Sequence, residues 1–207
     1  MEKGTLTIVS GFSGAGKSTV VRQLVAGGDY ELSVSATTRS PREGEVDGRE
    51  YYFISEEEFK RRIDENDFLE WVRYVDHYYG TPYSFTREKL DAGKNVILEI
   101  EAQGAYKVKA RIPEAKLIFM LPPSMTELKR RLVGRGTESE EVVLARLRRA
   151  MEELELARSY DRLMINVSIA DSVHLLDMII KEDYGRGPAS DDLLDRMKEE
   201  GKALLAE

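Results

Sequence analysis

The sequence predicts an α/β fold, a parallel sheet flanked by helices, with a small mixed sheet inserted into it. Two observations carry that expectation. Four short apolar runs, each of strand length, are separated by segments in which apolar residues recur at helical spacing. The stretch from 35 to 83 breaks this rhythm and is rich in Thr, Arg, Tyr and Gly. The chain has 207 residues, which fits one domain better than two.

Taken in order, 5–10 reads as a strand, followed by a glycine-rich turn and a helix from about 16 to 26. Val20, Val21, Leu24 and Val25 share one face of that helix, and Gly27-Gly28 ends it. Further buried strands are read at 96–100, 117–121 and 163–167. Ser124 with Glu127 forms a capping box ahead of a helix carrying Leu128 and Leu132. Thr137 with Glu140 forms another, opening a helix to about 158 with Val143, Leu147, Met151 and Leu154 on its apolar side. Residues 171–181 read as a further helix. Strands alternating with helices imply right-handed crossovers and a parallel sheet. Within the insert, extended pieces at 50–54 and 68–74 flank a helix starting at Ser55, whose capping partner is Glu58. Beyond Gly187-Pro188, Leu193, Leu194, Met197, Leu204 and Leu205 give an amphipathic terminal helix, whose packing partner the sequence leaves open. The expected organisation is a core of 1–34, 84–125 and 159–190, an insert of 35–83, a lid of 126–158 and a tail of 191–207.

Composition removes several function classes. Basic residues number 31 and acidic residues 38, a net charge of −7, which disfavours non-specific binding to nucleic acid or anionic membranes. The absence of cysteine excludes disulfides, thiolate metal sites and cysteine nucleophiles. Two histidines, His77 and His174, do not make a multi-histidine metal centre. The first apolar run is broken by Ser10 and Gly11, too early for a signal peptide, and no run approaches the ~20 residues of a membrane span. A cytoplasmic protein is expected, monomer or homodimer, with neither nucleic acid nor membrane as partner.

Residues 11–18 read Gly11-Phe12-Ser13-Gly14-Ala15-Gly16-Lys17-Ser18 and match G-x-x-x-x-G-K-[ST] at every fixed position. The glycines let successive backbone N–H groups curl around phosphate oxygens, and the helix that follows adds its N-terminal partial charge. Lys17 can reach the outer phosphates, and the Ser18 hydroxyl can ligate Mg²⁺. A turn that merely reversed the chain would have no use for Lys-Ser. This is a P-loop, with Thr19 continuing it, and the fold expected is that of the P-loop nucleoside-triphosphate hydrolases, with a nucleoside triphosphate as ligand.

What accepts the phosphate must come from elsewhere. Arg39 and Arg42 stand three apart, with Pro41 stiffening the chain between them, and arginine forks suit phosphate. Glu45, Glu70 and Glu101 are carboxylates, the natural acceptors for the adjacent N1–H and amino group of guanine. Tyr51 and Tyr79 could give hydroxyls to a phosphate, and Ser35 and Thr81 to base or phosphate. Each alone could equally be surface or packing.

Together, the segments 37–53 (TTRSPREGEVDGREYYF), 68–82, 96–105, 121–124 and 131–141 resemble the guanylate kinases, from the P-loop to about Asp183. The resemblance implies that the insert binds GMP. Arg39, Arg42, Tyr51 and Tyr79 would hold its phosphate, and Ser35, Glu70 and Thr81 its guanine, with Glu45 alongside. At 99 and 101 many members carry aspartates where this chain has glutamates. Glu99 would still face Mg²⁺ waters and Glu101 the guanine edge. It implies further that Arg131 and Arg146 of the lid meet the phosphates, that Arg135 stacks near adenine, and that Asn166 contacts the adenine. Arg130, Arg148 and Arg149 read as a solvated helical face. The implied reaction is ATP + GMP → ADP + GDP, with Lys17, Arg39, Arg42, Arg131, Arg146 and Mg²⁺ supplying positive charge and no general base. A kinase for another monophosphate and a peptide-binding relative without catalysis are the rival readings. Glu70 and Glu101 speak against the first, and the intact Lys17 and glycines against the second.

Overall fold

A run such as Val96-Ile97-Leu98, apolar at consecutive positions, must be covered on both faces, the condition of an inner parallel strand. The computed structural model describes residues 3–74, 76–134, 139–181 and 191–206. Its elements in chain order are β1 (Leu6–Gly11), α1 (Lys17–Val25), β2 (Tyr30–Leu32), β3 (Ala36–Thr37), β4 (Tyr52–Phe53), α2 (Glu56–Asp64), β5 (Phe68–Tyr74), β6 (His77–Pro82) and α3 (Tyr83–Asp91). There follow β7 (Asn95–Glu99), α4 (Ala102–Arg111), β8 (Lys116–Leu121), α5 (Met125–Val133), α6 (Glu140–Ala157), β9 (Arg162–Ile165), α7 (Ile169–Lys181) and α8 (Asp191–Ala206).

Five strands form a parallel sheet in the order β2-β7-β1-β8-β9, with β1 at its centre. Alternation along each strand sends residues to two cores. Leu6, Ile8, Leu98 and Phe119 meet α4, α5, α6 and α8, while Val9, Ile97, Ile118 and Met120 meet α1 and α7. Reversing the order at β1 leaves a crevice at the carboxyl ends of the strands, where open sheets of this kind bind ligands.

The insert is a four-stranded sheet in the order β4-β3-β6-β5. It is mixed, because β3 and β4 run parallel while the other pairs are antiparallel. Its small core stacks Phe59 of α2 on Phe68 of β5, with centroids 4.2 Å apart. The Ser55 and Ser124 caps form as the sequence predicts, each side chain accepting from the N–H three residues on, Glu58 and Glu127. Thr137 lies outside the described residues. α6 starts after Ser139, which makes no side-chain cap bond.

The terminal helix packs on the core. Leu194 and Met197 of α8 are buried with α5 and α6. The Glu200 carboxylate accepts from the backbone N–H of Met125 (3.0 Å) and Thr126 (2.9 Å), so α8 caps the start of α5. β2, β3, β6, α3 and α4 are additional to the elements expected from sequence.

Candidate active site

β1 ends at Gly11 and the chain reverses into α1 within six residues. That reversal puts Gly11, Gly14 and Gly16 at φ of 145°, 93° and 90°, which glycine alone adopts without strain. The space is closed as well. A Cβ on Gly11 would lie 2.1 Å from the Met120 carbonyl oxygen, and one on Gly16 would lie 2.4 Å from Asn166 Nδ2. Phe12 and Ala15 are buried under the loop, while Ser13, Ser18 and Thr19 face outward. Lys17 Nζ donates to the carbonyls of Gly11 (2.5 Å) and Phe12 (3.0 Å), folding over its own loop. Ser18 Oγ donates to Glu99 Oε1 at 2.5 Å, which sets a hydroxyl beside a carboxylate at the end of the neighbouring strand.

Two arginines close on this loop from the α5–α6 arm. Arg131 donates through Nη2 to the Asn166 carbonyl (3.0 Å) and through Nη1 toward that of Ala15 (3.4 Å), while Glu127 holds its Nε at 2.7 Å. Arg146 Nη1 donates to Ser13 Oγ at 2.9 Å. Asn166 lies beneath the loop. Its Nδ2 donates to the Ala15 carbonyl (2.7 Å), its Oδ1 accepts from Ser172 Oγ (2.8 Å), and 2% of the residue is exposed. Through these two bonds Asn166 ties the P-loop to α7.

On the insert side, Glu70 of β5 and Thr81 of β6 are joined by Thr81 Oγ1 donating to Glu70 Oε1 at 2.8 Å. Glu70 opens on a cleft of about 370 Å³ whose walls include Ser35, Tyr51, Tyr79, Glu99 and Glu101, with Thr81 buried behind it. Burial raises the Glu70 carboxyl above the usual carboxylate range, with the Thr81 hydroxyl and the Lys107 charge pulling the other way. Glu101 is the N-cap of α4, with an exposed side chain. Arg39 grips Glu45 with both arms, Nη1 to Oε2 and Nη2 to Oε1 at 2.7 Å each. The Arg42 N–H donates to the same carboxylate at 2.7 Å, and the Arg39 guanidinium lies 5.1 Å from the Tyr51 ring centroid. These bonds, Arg39 first, hold the Glu45 carboxyl at about 2. Glu45 therefore faces the two arginines that the sequence singles out, and the Arg42 side chain stands exposed beside it.

Two nucleotide-sized halves thus meet at Glu99. The family model for guanylate kinase matches residues 3–183. The chain belongs to the guanylate kinase family. These are nucleoside monophosphate kinases that act on GMP with ATP. A guanylate kinase from Caldanaerobacter subterraneus subsp. tengcongensis is 48% identical over 96% of this chain and 97% of its own length. One from Clostridium tetani is 48% identical over 90% and 89%. The crystal structure of guanylate kinase from Anaplasma phagocytophilum superposes with a TM-score of 0.68 at 30% identity, covering 87% of this chain and 86% of that one.

Of the residues in the guanylate kinase reading of the sequence, Arg135 lies outside the described residues. Arg149 lies on the exposed helical face expected, pairing with Glu152 Oε2 and Glu153 Oε1 at 3.3 Å each, and it also reaches Glu101 Oε2 at 3.6 Å. Glu153 itself is 7% exposed. The wall that sequence reasoning missed is α4, which brings Gln103, Gly104 and Lys107 to the cleft. The spacing of Gly104 and Lys107 was the available signal, one turn apart and directly after a strand carrying Glu99.

Proposed function

We propose that the chain transfers the γ-phosphoryl group of ATP to GMP, and to dGMP, giving ADP and GDP in purine nucleotide metabolism and GMP recycling. The observation that carries this reading is the shared wall. Glu99 lines the base cleft and also a cavity of about 640 Å³ that reaches from Ser18 to Glu45 and Tyr51. A donor on the P-loop and an acceptor phosphate at Arg39 would therefore face each other across one space.

ATP would lie on the N–H groups of 11–19, with Arg135 near adenine. Arg39, Arg42, Tyr51 and Tyr79 would bind the GMP phosphate, and Ser35, Glu70, Thr81 and Glu101 would read the guanine. Glu45 serves by fixing Arg39. The hydroxyl–carboxylate pair of Ser18 and Glu99 is the oxygen donor set that suits Mg²⁺, which keeps most of its waters and takes few protein ligands. Ser18 would bind it directly and Glu99 through water. Magnesium, when bound, shields the triphosphate charge. Lys17, Arg131 and Arg146 add positive charge around the transferred group, where it accumulates in the transition state. The acceptor oxygen is already anionic, so no general base is needed. Closing the insert and the α5–α6 arm together would exclude water from the transfer. A monomeric or homodimeric cytoplasmic enzyme fits this chemistry.

The test is ADP formation with Mg-ATP and each of GMP, AMP, dTMP, CMP and UMP, with Glu70→Gln alongside. GMP preference that collapses in Glu70→Gln is the expected result. Preference for another base keeps the kinase and removes the guanine assignment, and no turnover with any acceptor removes the reaction.

A further inference from the structure

α4 has no part in the P-loop or the arginine cluster, yet one of its faces closes the base cleft. Gly104 stands in its first turn, and Lys107 follows three residues later on the same side. The Glu70 carboxylate reaches across from β5 and lies against Gly104. A Cβ at 104 would be 3.3 Å from Glu70 Oε2 and 3.4 Å from its Cγ, tighter than ordinary packing. Lys107 stands on the same cleft wall. Its Nζ donates to the Trp71 carbonyl, the residue after Glu70 on β5, at 3.4 Å, and it lines the cleft with Glu70.

We propose that Lys107 is a specificity-determining residue of the GMP site, its ammonium holding the Glu70 carboxylate in place as the acceptor for the guanine N1–H and amino group. This rests on the reading of Glu70 as the base reader given above. The guanine edge in question offers only donors. A neutral carboxylic acid would turn one acceptor oxygen into an O–H and lose one of the two bonds. Keeping the charge inside a half-closed cleft is opposed by desolvation. The groups facing Glu70 act in both directions. From β6 the Thr81 hydroxyl supports the anion, and from α4 Lys107 supports it while Glu101 opposes it. Glu101 is in turn approached by Arg149 of α6. Lys107 is thus the cation that α4 brings to the cleft beside Glu70, and Gly104 is the opening that lets the carboxylate lie against the helix.

The test uses the full chain as wild type, Lys107→Gln, Lys107→Arg and Glu70→Gln. KM for GMP, KM for ATP and kcat are followed between about pH 5 and 8, where raised carboxylates and phosphate monoesters titrate. The GMP phosphate ionises near 6 but is common to all four proteins, so differences between them belong to the protein. Lys107→Gln is expected to raise KM for GMP about three- to tenfold near pH 6 and to move the acid limb of kcat/KM for GMP upward by ~0.5–1 unit. KM for ATP should stay within about twofold, because the loss is confined to the acceptor side. Lys107→Arg should restore most of the difference. Fluorescence of Trp71, the single tryptophan, should report the same ratio of GMP affinities without turnover. An acid limb and KM unmoved in Lys107→Gln, with Glu70→Gln impaired, overturn the role of the lysine alone. Equal damage in Lys107→Gln and Lys107→Arg also overturns it, since charge is then not the cause. An unimpaired Glu70→Gln overturns the base-reader reading and this inference with it.

Discussion

Ser18 and Glu99, 81 residues apart, are joined hydroxyl to carboxylate at 2.5 Å where β7 and the P-loop end side by side. The pair brings two hard oxygen donors together in the crevice, one from the first turn of α1 and one from the end of β7. Replacing Glu99 by Gln keeps the shape and removes the charge. We expect the Mg²⁺ concentration for half-maximal ADP formation to rise about tenfold, the effect typical of losing an outer partner of a metal. A magnesium titration at fixed ATP measures it, and an unmoved midpoint takes Glu99 out of the metal site.

The Arg39–Glu45 pair gives the insert a pH dependence of definite sign. Glu45 is held at about 2 in the folded chain, against about 4.3 in an unfolded one. A depressed carboxyl stabilises the fold fully above its unfolded value and loses that contribution as pH falls through the folded one. Thermal unfolding of wild type and Glu45→Gln should therefore differ at neutral pH, and the two curves should converge as pH drops from about 4.5 to about 2. A difference that persists at the acid end would mean that packing, not charge, separates the two proteins.

What was legible in the sequence was whatever is local. The P-loop carries its own geometry in eight consecutive residues, and the Ser55 and Ser124 caps close within three. β2 was not legible because it is three residues long with Glu31 in its middle. α4 was not, because its buried stripe is written in Ala102, Ala105 and Val108, small side chains that carry little hydropathy signal. Arg149 pairs with Glu152 and Glu153, three and four residues on, as the surface pattern implies. Its contact with Glu101 depends on how α6 lies over α4, which no local pattern records. The orientation of the Asn166 side chain is set by Ser172 and Ala15, one near and one remote in sequence, and the remote partner leaves no local signal.

Thr7 sits in the central strand, 1% exposed, and its Oγ1 has no hydrogen-bond partner among the described residues. A buried hydroxyl left unpaired is destabilising, and valine offers the same branched shape without it. Thr7→Val is expected to gain about 1 kcal/mol, or ~2–4 °C in Tm. Differential scanning calorimetry decides it, and a lower Tm refutes the reading of Thr7.

Glu200→Ala removes two backbone bonds at the start of α5, the helix that carries Arg131 to the P-loop. Caps of this kind contribute about 1–2 kcal/mol. We expect a stability loss of that size together with a fall in kcat, while GMP affinity read from Trp71 is retained. Equal loss of GMP binding would show that the cap supports the insert and not the arm.

Chain order and site order are opposed in this protein. A ribosome adds the phosphate loop well before its braces, for the two residues that grip the Ala15 carbonyl come 116 and 151 residues later. Glu200, which steadies the helix bearing the first of them, arrives later still. Over that interval of elongation the loop exists without its braces. The nucleotide pocket is completed only when these later residues have been made.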